Sequence, residues 1–504
     1  MKKIAFFFAV VLTATVNHAQ SISDVLRYSM ENTQGTARFQ GLSGAMGAIG
    51  GDLSAINVNP AGSSLFKNSF LTFSLSNYNA NNETRYFNGF NESDTDNVEF
   101  NQAGGVLVFK NANPESKGWK KFAIAFNYDL VNSYDNEFFA SGISDQSIDQ
   151  YFLTFAQGVP LGPLFIQDGE FIEEAYLDIG ANLGFGPQQA FLGYFGGVID
   201  PVDINDDNNT DYISNGIFSD VNQAYLRLTS GYNNKFTANV SGQYNEHLFV
   251  GASLNFHDVF YENFSLFEES GYDATSPLQG VSFDNLLRTF GDAFSFTIGG
   301  IAKINDAVHI GATYQSPTWY RFTDQLSQRI NSNLADSEIG FIDFSIVNIF
   351  PDYKIQVPAK LTGSLALIFG EEGFINFDYS YQNMENAELR PNSDPDFANE
   401  NAFISSQLKA VSSFKIGGEY KIDDWHVRGG YRFEESPYEN SNTIGDLSGF
   451  SLGVGYTFGP TVFDVGFSQT QRDINTPLFE TGLTNAANID ATNTNLTFSL
   501  SFNL

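Results

Sequence analysis

Cysteine is absent from all 504 residues. Disulfide frameworks, thiolate metal sites and cysteine nucleophiles are excluded together. Basic side chains are scarce: 25 Lys and Arg stand against 58 Asp and Glu, for a formal charge of −33. Nucleic acid is ruled out as a partner, because a phosphate backbone demands clustered cations. Charged residues make up only 16% of the chain while aromatics reach 15%, with 51 Phe and 23 Tyr. A disordered or acidic-tail protein would show the opposite balance. Long apolar runs are missing as well; the one from Ile4 to Val16 falls short of the ~20 residues a membrane-spanning helix needs. Catalytic signatures are lacking. Ser43 sits in Gly-Leu-Ser-Gly, without the spacing of a nucleophile elbow, and no paired-His zinc helix is present. The chain reads as a non-enzyme with no cofactor. What it does have is 46 Gly with abundant Asn and Ser, which suit many turns rather than long helices.

The short apolar run follows Lys2 and Lys3 and leads to the small Ala19. That order predicts a secretory signal peptide over residues 1–19, cut after Ala19, and an exported protein.

Beyond it the chain alternates with a period of two. Phe122, Ile124, Phe126, Tyr128 and Leu130 are separated by Ala123, Ala125, Asn127 and Asp129. The runs beginning at Leu248, Ile375 and Phe450 repeat the pattern. A period of two means a strand with one apolar face and one small or polar face. Strands are predicted near 69–79, 98–110, 120–131, 235–244, 247–257, 293–304 and 307–316. A second set lies near 357–369, 374–383, 411–421, 425–434, 449–458, 461–470 and 493–504.

A soluble sandwich would alternate in the same way, so the loops must decide. Connections such as Asn245–Glu246, Asn305–Asp306 and Gly459–Pro460 are tight, whereas those between them are long, the largest over 132–234. Tight turns at one end and long loops at the other mark a transmembrane β-barrel of fourteen antiparallel strands, both ends of the chain being expected on the periplasmic side. Trp119 and Trp425 fall at the short-turn end and Trp319 and Tyr320 near the long-loop end, as aromatic girdles require. The last strand, with Leu496, Phe498, Leu500, Phe502 and Leu504 on one face, resembles the C-terminal signal read by barrel-insertion machinery. Outer-membrane lipid and lipopolysaccharide would surround such a barrel, which is read as a monomer.

Residues 20–68 break the alternation, with five glycines between Gly41 and Gly51. The run Gly35–Phe39, then Gly41–Asp52, then Asn57-Val58-Asn59-Pro60-Ala61-Gly62 resembles the hatch of the FadL/TodX family of outer-membrane transporters, most closely the branch found in Bacteroidetes. Asp52, Asn59, Pro60 and Ala61 carry the motif. The resemblance implies a hatch over 20–68 plugging a barrel over 69–504. It also implies passive, TonB-independent uptake of hydrophobic molecules, long-chain fatty acids or aromatic hydrocarbons, through a lateral opening in the wall.

Candidate binding residues are fewer. Phe152, Phe155, Phe191, Leu192, Tyr194 and Phe195 make the longest loop too apolar to be merely solvated. They read either as an entry groove for a hydrophobic ligand or as helices packed over the barrel mouth. Asp203–Asp211 alternates oxygen-bearing side chains but lacks the Gly and Glu of a calcium loop, so no metal is assigned. Lys415 and Glu419 of one strand face Arg428 and Arg432 of the next; such lumen charges pair and pin a plug, or receive a substrate carboxylate. His257, His309 and His426 are expected to point inward from different strands, with no paired spacing for haem. Two functions stay open: a channel for hydrophobic small molecules, and a related barrel that holds an exported protein partner or serves haem uptake.

Overall fold

The structure is a computed structural model that describes residues 21–113 and 117–504; the expected signal peptide lies outside them. Fourteen antiparallel strands close into one barrel. They are β1 (Phe70–Tyr86), β2 (Gly89–Lys110), β3 (Trp119–Ser133, continued by Asn136–Ser144), β4 (Val221–Tyr244), β5 (Leu248–Ser270), β6 (Gly280–Asn305) and β7 (Val308–Gln315, continued by Thr318–Ser332). The others are β8 (Tyr353–Val357, continued by Lys360–Phe369), β9 (Gly373–Asn383), β10 (Ala410–Ile422), β11 (Trp425–Glu434), β12 (Leu447–Phe458), β13 (Thr461–Pro477) and β14 (Ala486–Asn503). The breaks in β7 and β8 fall at Pro317 and Pro358, which have no N–H to give the ladder.

Alternation decides which way each face points. Phe122, Ile124 and Phe126 are exposed on the outer surface while Ala123, Ala125 and Asn127 are buried. In β14, Leu496, Phe498 and Leu500 face out and Thr497, Ser499 and Ser501 face in. A sandwich would have the apolar face inside; here it forms a continuous outer belt, the arrangement lipid favours. The inner hydroxyls lace the closing seam. Thr72 meets Ser501 at 2.9 Å, Ser74 meets Ser499 at 2.7 Å and Ser76 meets Thr497 at 2.6 Å.

All fourteen predicted strands are present, but most run further at the long-loop end. β4 begins at Val221 and β6 at Gly280, more than a turn's length before the apolar alternation starts. The polar stretch after Asn79 is no loop: β1 and β2 stay paired out to Tyr86 and Gly89. The expected 132–234 loop likewise gives up its ends to β3 and β4. Its middle carries three helices, α3 (Asp149–Ala156), α4 (Ile172–Leu183) and α5 (Phe185–Phe195). Of the expected upper girdle, Trp319 faces outward but Tyr320 is buried in the lumen against Phe322, because neighbours on a strand point to opposite faces.

The N-terminal segment threads the lumen from end to end. Helix α1 (Ile22–Ser29) packs near the long loops, where Ser21 Oγ donates to Glu480 and the Ile22 N–H to Glu400. The segment then descends to Phe66, whose carbonyl accepts from Lys121 near the short turns. The C-terminal strand also ends there, the Leu504 N–H bonding the Ser69 carbonyl. Ser21 therefore sits at the opposite end from Leu504, against the expectation that both ends lie together, because residues 21–68 make an additional pass inside the wall.

Candidate functional site: the lumen and its wall

Small residues on the inner wall let the N-terminal segment approach backbone to backbone. A Cβ on Gly311 of β7 would lie 2.5 Å from the Gly47 carbonyl oxygen, and one on Gly466 of β13 would lie 2.4 Å from that of Ala37. Gly251, Gly417 and Gly430 meet Pro60 and Leu42 as closely. Only glycine fits at such distances. Short polar side chains then fix the register. Asn59 Nδ2 donates to the Gly47 carbonyl (2.8 Å) and to the Gly300 carbonyl of β6 (3.1 Å), while its Oδ1 accepts the Ala61 N–H at 3.1 Å. Pro60 opens a short 3-10 turn and passes its carbonyl to Asn239. Asp52 works within the segment, accepting from Thr36 Oγ1 at 2.7 Å and from the Ser54 N–H at 2.9 Å.

The strongest tie is ionic. Arg38, on helix α2 (Ala37–Gly41), reaches Glu419 with two bonds of 2.8 and 3.0 Å and also donates to the Gly51 carbonyl. Arg428 shares Glu419 at 2.5 Å and reaches Asp464 at 2.6 Å. The ladder sets Glu419 opposite Arg428 and Lys415 opposite Arg432, so the four charges expected from sequence are neighbours. They divide into two groups: Glu419 receives Arg38 of the segment and is shared by Arg428, whereas Lys415 and Arg432 line a cavity, Arg432 also donating to Thr33 of the segment. Arg38 and Asp464 complete the network and were not singled out by sequence: Arg38 lies 381 residues from Glu419, and Asp464 is 36 residues from Arg428.

That cavity, of about 150 Å³, has an apolar part that includes Met30, Leu130, Val131 and Phe433. A second, of about 70 Å³, is lined by Tyr78, Asn97, Ser133 and Asp135 from β1, β2 and β3. Asn32, Thr33, Gln34 and Arg432 border both. Residues 30–34 thus form a partition between them.

Beside the second cavity the wall is unzipped. β2 and β3 pair from Lys110 and Lys121 only as far as Gln102 and Asp129. Above that point no ladder joins Asn97–Asn101 to Leu130–Asp135, and the strands meet again through side chains. Asn97 Nδ2 donates to Asp135 at 2.5 Å, and Asn91 Nδ2 to Ser141 Oγ at 3.2 Å. β3 bulges against β4 between Leu130 and Asn132 in the same stretch. Barrels in lipid satisfy backbone groups by closure, so an interrupted ladder in the wall marks a place where something besides the sheet is accommodated.

Comparison with known proteins agrees with this architecture. A model of the outer membrane protein transport protein family (OMPP1/FadL/TodX) matches residues 226–504. The chain belongs to that family. It is therefore an outer-membrane β-barrel related to transporters of hydrophobic compounds. Among solved structures, a Pseudomonas aeruginosa FadL homologue aligns with a TM-score of 0.52 at 13% identity, over 93% of this chain and 98% of that one. At that identity the likeness is one of fold. The P. putida toluene transporter TodX gives 0.48 at 13% identity, over 94% and 99% of the two chains. The Ralstonia pickettii toluene transporter TbuX gives 0.47 at 14%, again over 94% and 99%. No curated protein matches the chain by sequence.

In this FadL/TodX-family chain the long loop forms a packed cap. Phe152, Phe191 and Leu192 are wholly buried, and Phe155 nearly so, among side chains of α3–α5 and of neighbouring strands such as Phe283. Tyr194 and Phe195 are half-buried at its edge. None of the six lines either lumen cavity. In the 203–211 loop the carboxylates serve the backbone: Asp203 accepts from the Asn205 N–H and Asp206 from the Asn208 N–H, both at 3.0 Å. Among the described residues no group of three or more His, Asp or Glu is placed to hold a metal ion. His257 bonds Asn233 at 2.9 Å and His426 bonds Thr457 at 3.1 Å. They remain on separate strands from each other and from His309 of β7.

Proposed function

We propose that this protein is a passive channel for hydrophobic small molecules, which enter from the long-loop, extracellular side and leave sideways through the β2–β3 seam. The short turns and the C-terminus face the periplasm, and residues 20–68 act as the hatch. The observation that carries the reading is the unladdered stretch between Asn97–Asn101 and Leu130–Asp135, next to a cavity. Physical chemistry favours a lateral route. Each CH₂ moved from water to an apolar phase is worth ~0.8 kcal/mol, so a molecule released into lipid avoids the cost of crossing water.

The test uses the absence of native cysteine. Asn97→Cys with Asp135→Cys closes the seam on oxidation. A control pair at Asn475 and Asn488, opposite each other on β13 and β14, cross-links an intact part of the wall. Uptake of a labelled long-chain fatty acid and of toluene should stop in the oxidised seam pair, return with reductant, and persist in the control. Equal uptake by oxidised and reduced seam variants refutes the lateral route.

A further inference from the structure

The short-turn end of the barrel has its own electrostatic character. On the inner face its last rungs set base opposite base. Lys110 of β2 pairs with Lys121 of β3, Lys303 of β6 with His309 of β7, and Lys421 of β10 with His426 of β11. Like charges directly opposite each other work against strand pairing. Composition does not explain them, since the chain holds 58 acidic side chains against 25 basic ones.

The β2–β3 sector is the densest. Lys110 and Lys303 both bring like charge to bear on Lys121. The polar contacts of all three go to neutral groups. Lys121 Nζ donates to the Phe66 carbonyl at 2.8 Å and Lys110 Nζ to Asn68 Oδ1 at 3.1 Å, while Lys303 Nζ lies 5.2 Å from the centre of the Phe249 ring. Among the described residues no carboxylate pairs with these lysines or with the exposed Lys67 beside them. Glu246 is taken by Lys120 at 3.3 Å. On the outer surface of the same turn, Trp119 stacks on Phe122 at 5.2 Å and meets Tyr244 edge-on at 5.5 Å. All three rings are exposed on the lipid-facing belt. Trp and Tyr so placed lie at the level of lipid head groups, and the flexible stems of the lysines reach past the last rung to the same level.

We propose that this rim is a phosphate site, in which Lys110, Lys121 and Lys303 hold one phosphate group and Lys67 borders its open side. A compact ammonium binds phosphate as a point charge and needs no fixed fork. The neighbouring Trp119 favours an anionic lipid as the source of the group; a free phosphate ion offers the same chemistry. Once bound, the anion turns a repulsive last rung into a tie. It does so at the foot of the β2–β3 ladder, which stops at Gln102 and Asp129. The site is independent of what the channel carries.

Tryptophan quenching tests the lipid source. With Trp319→Phe and Trp425→Phe, Trp119 is the one tryptophan left of three. The full-length protein is placed in phosphatidylcholine vesicles with a rising fraction of brominated-tail phosphatidic acid or, in parallel, brominated phosphatidylcholine. Each basic residue near a membrane surface is worth about fivefold toward an anionic lipid. Phosphatidic acid should therefore half-quench at a mole fraction about tenfold or more below that of the zwitterion. Lys110→Gln and Lys303→Gln should each give back about fivefold, and Lys354→Gln, at the far end of the wall, nothing. Native mass spectrometry of the unmutated protein with both lipids gives the same ranking should the single-tryptophan variant fail to assemble. The free ion is tested by the ³¹P line width of inorganic phosphate with detergent-solubilised protein. Broadening that Lys110→Gln removes, with no preference between the lipids, keeps the site and assigns it to the free ion. Absence of both effects, or effects that survive Lys110→Gln combined with Lys303→Gln, overturns the inference and leaves the channel reading untouched.

Discussion

Replacing Arg38 with Met tests whether the ionic tie keeps the lumen plugged. The substitution retains an apolar stem and deletes the head that gives Glu419 its bonds of 2.8 and 3.0 Å and Gly51 one of 3.1 Å. Removing one partner of a buried pair costs ~3–5 kcal/mol when the other is stranded. Glu419 is not wholly stranded, since Arg428 still reaches it, but Arg428 must then serve both Glu419 and Asp464. A loss of about 3 kcal/mol is the reasonable figure, which multiplies the undocked population about a hundredfold. Planar-bilayer conductance and flux of a small sugar from liposomes should both rise, while heat-modifiable migration on gels shows the barrel assembled. Adding Glu419→Gln removes the surplus carboxylate and leaves Arg428 to Asp464, so the double variant should leak less than the single one. Wild-type leakage from an assembled Arg38→Met protein, or a double variant as leaky as the single, would refute the reasoning.

Other consequences are equally open to measurement. An epitope tag in the Glu371–Gly373 turn should be inaccessible on intact cells while one in Asn392–Asn401 is labelled; the opposite pattern inverts the proposed topology. Burial, with the nearby charge of Asp24, raises the Glu480 carboxyl above its ordinary range, and burial raises Glu400 as well; Ser21, Ser23 and the Ile22 N–H donate to these groups, and Arg27 opposes the rise at Glu480. A raised folded-state value means stability present at low pH and lost as pH climbs through it. Docking of α1, followed by a dye on Ser21→Cys, should thus loosen with rising pH, and Glu480→Gln should flatten the profile. Phe191→Ala should cost the cap ~3–5 kcal/mol, as wholly buried Phe does. Faster proteolysis within 145–220, with barrel migration unchanged, is the expected readout; protease resistance equal to wild type counts against a packed cap.

Legibility followed the lipid boundary. Within the bilayer the environment forces large apolar residues outward at every second position, so Phe122-Ala123-Ile124-Ala125 announces both strand and face. Past the boundary that demand ends. Stretches such as Asn79–Asp96 pair through Asn and Asp side chains, Asn79 with Asp94 and Asn77 with Asp96, and look like loop because either face can be polar. Facing charges on β10 and β11 could be read because a tight turn fixes their register. Arg38 could not be joined to Glu419, since no local rule links residues on a lumen segment and a wall strand. The cap was ambiguous for another reason: Phe152 and Phe191 would look the same in sequence whether they met a ligand or each other.

The path of the N-terminal segment also constrains how the molecule is made. Its leading helix lies beneath loops at one mouth, and its trailing end enters β1 at the other, with residues of every layer between locked to the wall. The segment runs straight into β1, the strand whose pairing with β14, from Phe70 with Asn503 to Arg85 with Asn488, completes the wall. Its closest backbone approaches are to Gly311, Gly417 and Gly466, on strands far apart in the chain. The groove that holds it is therefore complete only once those strands stand in one closed cylinder, so docking of the segment reports that the whole wall has formed.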